Sequence, residues 1–197
     1  MGELILCSHP IAAMPYYIDN ISLNVYSLEE LCYYIENHLY LIEADFMSEE
    51  LCLWIGQKLD EKDLAQSLRS VLLGNGSLSD FTELILRSCG YCSEDTIRHI
   101  RSVLLDMQNK SVFECSKIRA DRYMESEKYV KAIHEYRKLL GMEEECKKNP
   151  VLEGNIRHNL GTACAELFLF DEAAANFLNA YRLNRNRESL AACMAAC

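Results

Sequence analysis

The chain has 197 residues, half of them hydrophobic and a quarter charged, which is ordinary for a soluble globular protein and enough for one large or two small domains. Three Pro and eight Gly are too few for a turn-dense all-β fold. The net charge of −10 lies in the first half: residues 1–110 carry 17 acids against 7 Lys or Arg, residues 111–197 carry 13 of each, and neither half offers the basic stripe of a nucleic-acid binder.

Glu3–Cys7 and Leu23–Tyr26 are short and β-prone, and Pro10 and Pro15 forbid a helix across the gap. Residues 1–26 are therefore expected to form a small extended or β-hairpin cap. Ser27-Leu28-Glu29-Glu30 has the form of a capping box. It opens a helix over 29–39, and its template returns after Ser48 as Glu49–Leu59, with Leu, Ile and Leu on one buried face. A longer echo follows. Leu68–Leu73 reappears as Ile100–Leu105, a shift of 32 that also sets Ser79 on Ser111, Phe81 on Phe113 and Arg87 on Arg119. Residues 27–110 thus read as an acidic helical region built from helix, turn and helix.

The ten cysteines suggest no disulfide framework. Cys32, Cys52, Cys115, Cys164 and Cys193 fall in helix-like runs, where a free thiol behaves as a small buried hydrophobe. The start of the chain lacks a basic leader and a long apolar core, and no apolar run approaches the ~18 residues of a membrane span. Free thiols in a reducing, cytoplasmic compartment are the expectation, with no membrane partner. Cys89-Gly90-Tyr91-Cys92 has the spacing of a thiol-redox pair. That chemistry needs a depressed thiol pKa, usually at a helix N-terminus. Here a helix precedes the motif and Ser93 caps the next one, so a Gly-containing turn between helices is the simpler reading. The five His are scattered and none pairs with the motif, so neither a metal site nor a cofactor is expected. Glu43, Asp45 and Asp60–Asp63 read as solvated helix ends, and Tyr33, Tyr34, Tyr40 and Trp54 mostly as core.

Gly154–Leu183 reads as two helices folded into a hairpin. Gly161 inside a helix costs about 1 kcal/mol against Ala, and close approach of a partner helix supplies the reason. Leu160-Gly161 followed by Ala173, Phe177 and Ala180, in a unit of about 34 residues, resembles the tetratricopeptide repeat. Ala120 and Tyr123, then Ala132 and Tyr136, fill the corresponding slots of a first repeat, with Arg119 where Leu is usual and Leu139 replacing the last Ala. Ala132 to Ala173 spans 41 residues, and the surplus over 34 is assigned to Gly141–Pro150 as a lengthened helix end or loop. Arg185–Cys197 reads as the first helix of a further repeat.

The resemblance implies an all-α fold, a right-handed α-solenoid of helix pairs behind the small N-terminal cap, with stacking from near residue 60 and recognisable repeats over 111–197. It also implies a concave groove for an extended peptide. Asn155, His158, Asn159, Thr162 and Glu166 form a polar stripe on the first helix of the hairpin, and alignment adds Lys117, Asp121 and Glu125. Lys117 and Asn159 match two positions of the carboxylate clamp of chaperone-binding members, but Asp121 replaces a clamp Asn, so a C-terminal-carboxylate ligand is not expected. The function read from this pattern is a non-catalytic interaction module for a protein or peptide partner. Two alternatives stand beside it: a thiol-redox enzyme or sensor using Cys89 and Cys92, and a structural homo-oligomer.

Overall fold

Backbone hydrogen bonds must be satisfied somewhere, and in this chain helices satisfy most of them. The computed structural model describes residues 9–196, which carry a two-stranded sheet and eleven α-helices. The chain divides into two units, Met1–Asn109 and Lys110–Cys197.

In the first unit β1 (Tyr16–Ile18) pairs antiparallel with β2 (Leu23–Val25), Tyr17 lying opposite Asn24. A β-hairpin is present, but the strand that meets 23–25 is 16–18; the strand expected at 3–7 lies outside the described residues. The reason is reach, since the four-residue connection 19–22 closes more readily than the fifteen residues 8–22 would. Two three-residue strands are marginal alone. They are held by side chains from farther along: Trp54 Nε1 donates to the Met14 carbonyl at 2.9 Å, and Asn20 Nδ2 donates to Tyr34 Oη at 2.7 Å and to the Leu41 carbonyl at 2.8 Å.

Helices α1 (Leu28–Asn37), α2 (Glu49–Lys58), α3 (Lys62–Leu73), α4 (Leu78–Cys89) and α5 (Glu94–Asn109) follow. Their starts are chemically marked. The hydroxyls of Ser27, Ser48 and Ser77 each accept the N–H three residues on, which satisfies one of the orphan donors of a helix end. At Ser27 the box is half formed, because Glu30 Oε2 accepts the Tyr26 N–H at 2.6 Å. Reciprocal boxes occur at Ser77–Asp80 and at Ser111–Glu114. The 32-residue echo survives in the helix starts Lys62 and Glu94 and then slips: the caps Ser77 and Ser111 are 34 apart, and Ser79 lies inside α4. α1 packs on α4, and α2 through α5 pack each on the next. Leu31, Ile35, Leu51, Ile55, Leu68, Phe81 and Ile85 form the core, with Trp54 and Tyr34 buried among them; Tyr33 is exposed.

The second unit holds α6 (Val112–Glu125), α7 (Tyr129–Gly141), α8 (Glu143–Lys148), α9 (Pro150–Glu166), α10 (Phe170–Asn184) and α11 (Arg187–Ala196). The surplus between the two expected repeats is itself a helix, α8, whose three Glu lead and two Lys trail in the order the helix dipole favours. α6 packs on α7, α7 on α9, α9 on α10 and α10 on α11. A Cβ on Gly161 would lie 2.9 Å from the Phe177 ring and 3.2 Å from the Ala173 carbonyl oxygen. One on Gly154, two turns earlier, would lie 2.9 Å from Asn184 Cβ and 3.2 Å from the Ala180 carbonyl oxygen. Both glycines therefore let α10 approach the backbone of α9. Ala120, Tyr123, Ala132, Tyr136, Leu160, Gly161, Ala173, Phe177 and Ala180 are all buried. Among the described residues no helix is long and apolar enough to cross a membrane.

Candidate functional site

Lys117, Asp121 and Glu125 recur every four residues along α6 and so share one of its faces. Asn155, Asn159, Thr162 and Glu166, three and four apart, share a face of α9. The two faces are joined. Lys117 Nζ donates to Asp121 Oδ2 at 2.5 Å, and Tyr136 Oη, from α7, donates to Asp121 Oδ1 at 2.7 Å. Asn159 Nδ2 reaches Tyr136 Oη at 3.3 Å and Asp121 Oδ1 at 3.4 Å. One carboxylate thus gathers side chains from three helices. Burial, and then the bond to Asp121, push the Tyr136 hydroxyl well above the usual phenol value. It stays a donor, as the network requires.

The other stripe residues are placed differently. His158 Nδ1 lies 3.0 Å from Ser189 Oγ of α11 and its ring packs on Phe177, with centroids 5.2 Å apart. Asn155 Oδ1 accepts from Asn184 Nδ2 at 3.1 Å, and the Thr162 hydroxyl donates to the His158 carbonyl at 3.1 Å. Glu125 pairs with Arg122 at 2.6 Å on an exposed surface, and Glu166 is exposed. Lys117, Asp121 and Asn159 are therefore brought into one network, while His158 and Asn155 serve the junctions with α11 and α10. The Lys117 and Asp121 side chains remain 29% and 34% exposed, enough for a ligand to meet them. Any ligand carboxylate drawn to Lys117 also meets Asp121, which already neutralises it.

In the first unit, Cys89 ends α4 and Gly90 follows at φ +66°, the left-handed cap of the helix. The Cys89-x-x-Cys92 pair thus sits at a helix C-terminus. Burial, with Glu36 and Cys89 nearby, pushes Cys92 up to about 11. The neighbouring thiol of Cys32 on α1, which donates to the Ile85 carbonyl at 3.9 Å, holds Cys89 below its ordinary value and is itself raised. The eight described cysteines are all free; Cys7 and Cys197 lie outside the described residues. Beside Cys89 lie two residues that sequence spacing did not link to it. Glu29 is 5% exposed, and its Oε1 accepts the His9 backbone N–H at 3.0 Å and faces His9 Nδ1 at 2.9 Å. That hydrogen bond holds His9 above the ordinary imidazole value. His9 and Cys89 are 80 residues apart in the chain, so no local motif could reveal the cluster.

The acidic segments carry no comparable organisation. Glu43 and Asp45 border a cleft of about 250 Å³ with Tyr16, Asp19 and Glu50, and Asp60 pairs with Lys62 where both are over three-quarters exposed. Comparison of the chain with protein-family models, with curated proteins and with solved structures gives no match.

Proposed function

We propose that this protein is a non-catalytic interaction module whose second unit is a right-handed, tetratricopeptide-like stack of helix pairs, binding an extended protein segment along the face shared by α6 and α9. The observation that carries this reading is the Asp121–Tyr136–Asn159 network, which ties the first helices of two successive hairpins side by side through one carboxylate. Two further ties support the stacking. His158–Ser189 relates α9 to α11 in the same sense, and Arg137–Glu172 at 2.6 Å relates the second helices, α7 and α10. A face fixed by hydrogen bonds is preorganised, so a ligand need not supply the ordering free energy on binding.

The charge of that face sets the preference. Lys117 is neutralised by Asp121 and Glu125 is paired with Arg122, which leaves Glu166 as exposed acid, so a neutral or basic segment is favoured over an acidic one. The experiment is selection of peptides from a random display library on the full chain, followed by affinity measurement for the parent and for the double variant Glu125→Lys, Glu166→Lys. Selected peptides should be neutral or basic, and charge reversal should weaken the basic ones about tenfold with Tm unchanged, the effect shrinking as salt screens it. Acidic peptides, or equal affinities for the two proteins, would remove this face as the binding surface. Asn159→Ala is unsuitable as a probe, because Asn159 belongs to the network that builds the face.

A further inference from the structure

We propose that His9, Glu29 and Cys89 form a site for a divalent transition-metal ion of the zinc type. Their ligand atoms (an imidazole nitrogen, a carboxylate oxygen and Sγ) all lie within 4.8 Å of one another. Zinc takes nitrogen and oxygen ligands at about 2.0–2.2 Å and thiolate at about 2.3 Å, which sets neighbouring tetrahedral ligands roughly 3.3–3.8 Å apart. The 2.9 Å between His9 Nδ1 and Glu29 Oε1 needs only a small opening to reach that spacing. Three elements supply the ligands: Glu29 stands in the first turn of α1, Cys89 at the end of α4, and His9 in the irregular segment before β1. α1 packs on α4, so two of the three are fixed by the core. Cys32 lies one turn beyond Glu29 on α1, its thiol donating to the Ile85 carbonyl at 3.9 Å one turn before Cys89 on α4.

The donor chemistry narrows the ion. Mg²⁺ and Ca²⁺ take oxygen ligands almost alone, whereas a mixed nitrogen, oxygen and sulfur set suits zinc. Charge agrees: a carboxylate and a thiolate together match a dication, and burial of Glu29 at 5% and Cys89 at 9% exposure makes such compensation valuable. Three protein ligands leave the fourth tetrahedral position to solvent or another donor. The competing account is a metal-free latch, in which Glu29 fastens the segment around His9 to α1 by hydrogen bonds alone.

The test uses the full chain, reduced, stripped with a chelator and titrated with Co²⁺ alone. One equivalent should produce the near-ultraviolet absorption of a cobalt–thiolate bond, and one equivalent of Zn²⁺ should bleach it. Cys89→Ser should abolish the band, and both Cys89→Ser and His9→Asn should weaken Zn²⁺ binding by more than about 100-fold. Cys92→Ser and Cys164→Ser should bind as the parent does. Zn²⁺ should also raise the Tm of the parent and leave that of His9→Asn unmoved. His9→Asn lies on an irregular segment outside the helices, so it reports on the site even if Cys89→Ser fails to fold. Absence of the cobalt band in the parent, or parent-like binding in His9→Asn, leaves the latch and overturns the metal site.

Discussion

Both units pack helices largely in sequence, but the features added to that packing differ. In the second, contacts run between successive helices, and the tightest of them is made by what is missing: Gly154 and Gly161 let Asn184, Phe177 and the α10 backbone come close to α9. In the first, polar and aromatic ties span long stretches of chain, as in Trp54 to Met14, Tyr16 to Ser48, Cys32 to Ile85 and His9 to Glu29. Sequential packing leaves a periodic trace of small residues in the sequence. Long-range ties leave none, because nothing local distinguishes a His that meets a Glu twenty residues away from one that meets water.

The largest expected effect breaks the sequential side of this contrast. Gly161→Leu must displace both the Phe177 ring and a backbone carbonyl, so it should destabilise at the upper end of the roughly 1–3 kcal/mol seen for overpacking, measured by urea unfolding. A variant as stable as the parent would mean that α9 and α10 are not in contact there. Next comes the polar network. Asp121→Ala leaves the Tyr136 hydroxyl and Lys117 without their common acceptor and should cost about 1.5 kcal/mol. Tyr136→Phe removes donor and demand together, so the loss should be smaller, and adding it to Asp121→Ala should cost less than the sum of the two. Strict additivity would deny the network.

The smallest effect belongs to the first unit. Glu83 accepts hydrogen bonds from Arg87 and from Arg101, which hold its carboxyl below the ordinary value of 4.5; Asp80 is lowered chiefly by Ser77 and also by Arg101. A folded pKa below the unfolded one adds stability that is fully present above about pH 4.5 and is lost as pH falls through the folded value. Acid should therefore weaken the tie between α4 and α5. Glu83→Gln should flatten this dependence while costing under about 1 kcal/mol at neutral pH, since these ion pairs are largely exposed.

Much of the helical frame was legible because its signals are local. Ser27, Ser48 and Ser93 announced their helices, and Gly161 with Ala173 announced a close crossing. The start of α9 carries an equally local signal: Asn149 caps it through its side chain, and Pro150 takes the first helical position, where a missing N–H does no harm. On the candidate face, three- and four-residue spacing placed Asn159 on its helix, and alignment to the resembled repeat added Lys117 and Asp121. Neither could tell that Asn159 turns to Asp121 while its neighbour His158 turns to Ser189. Adjacent residues differ by about 100° around a helix, and only the position of the next helix decides which of them is used. The His9, Glu29 and Cys89 cluster lay beyond any such rule, since it depends on α1 meeting α4 and on the path of the segment before β1.

The central claim is that a ligand lies along α6 and α9. Its most direct test is amide and side-chain chemical-shift mapping of the full chain titrated with a peptide selected on it. The account predicts perturbations at Lys117, Asp121, Glu125, Thr162 and Glu166, with α7 and α10 changing little outside Tyr136. Perturbations confined to the outer faces of α7 and α10, or to residues 9–109, would contradict it.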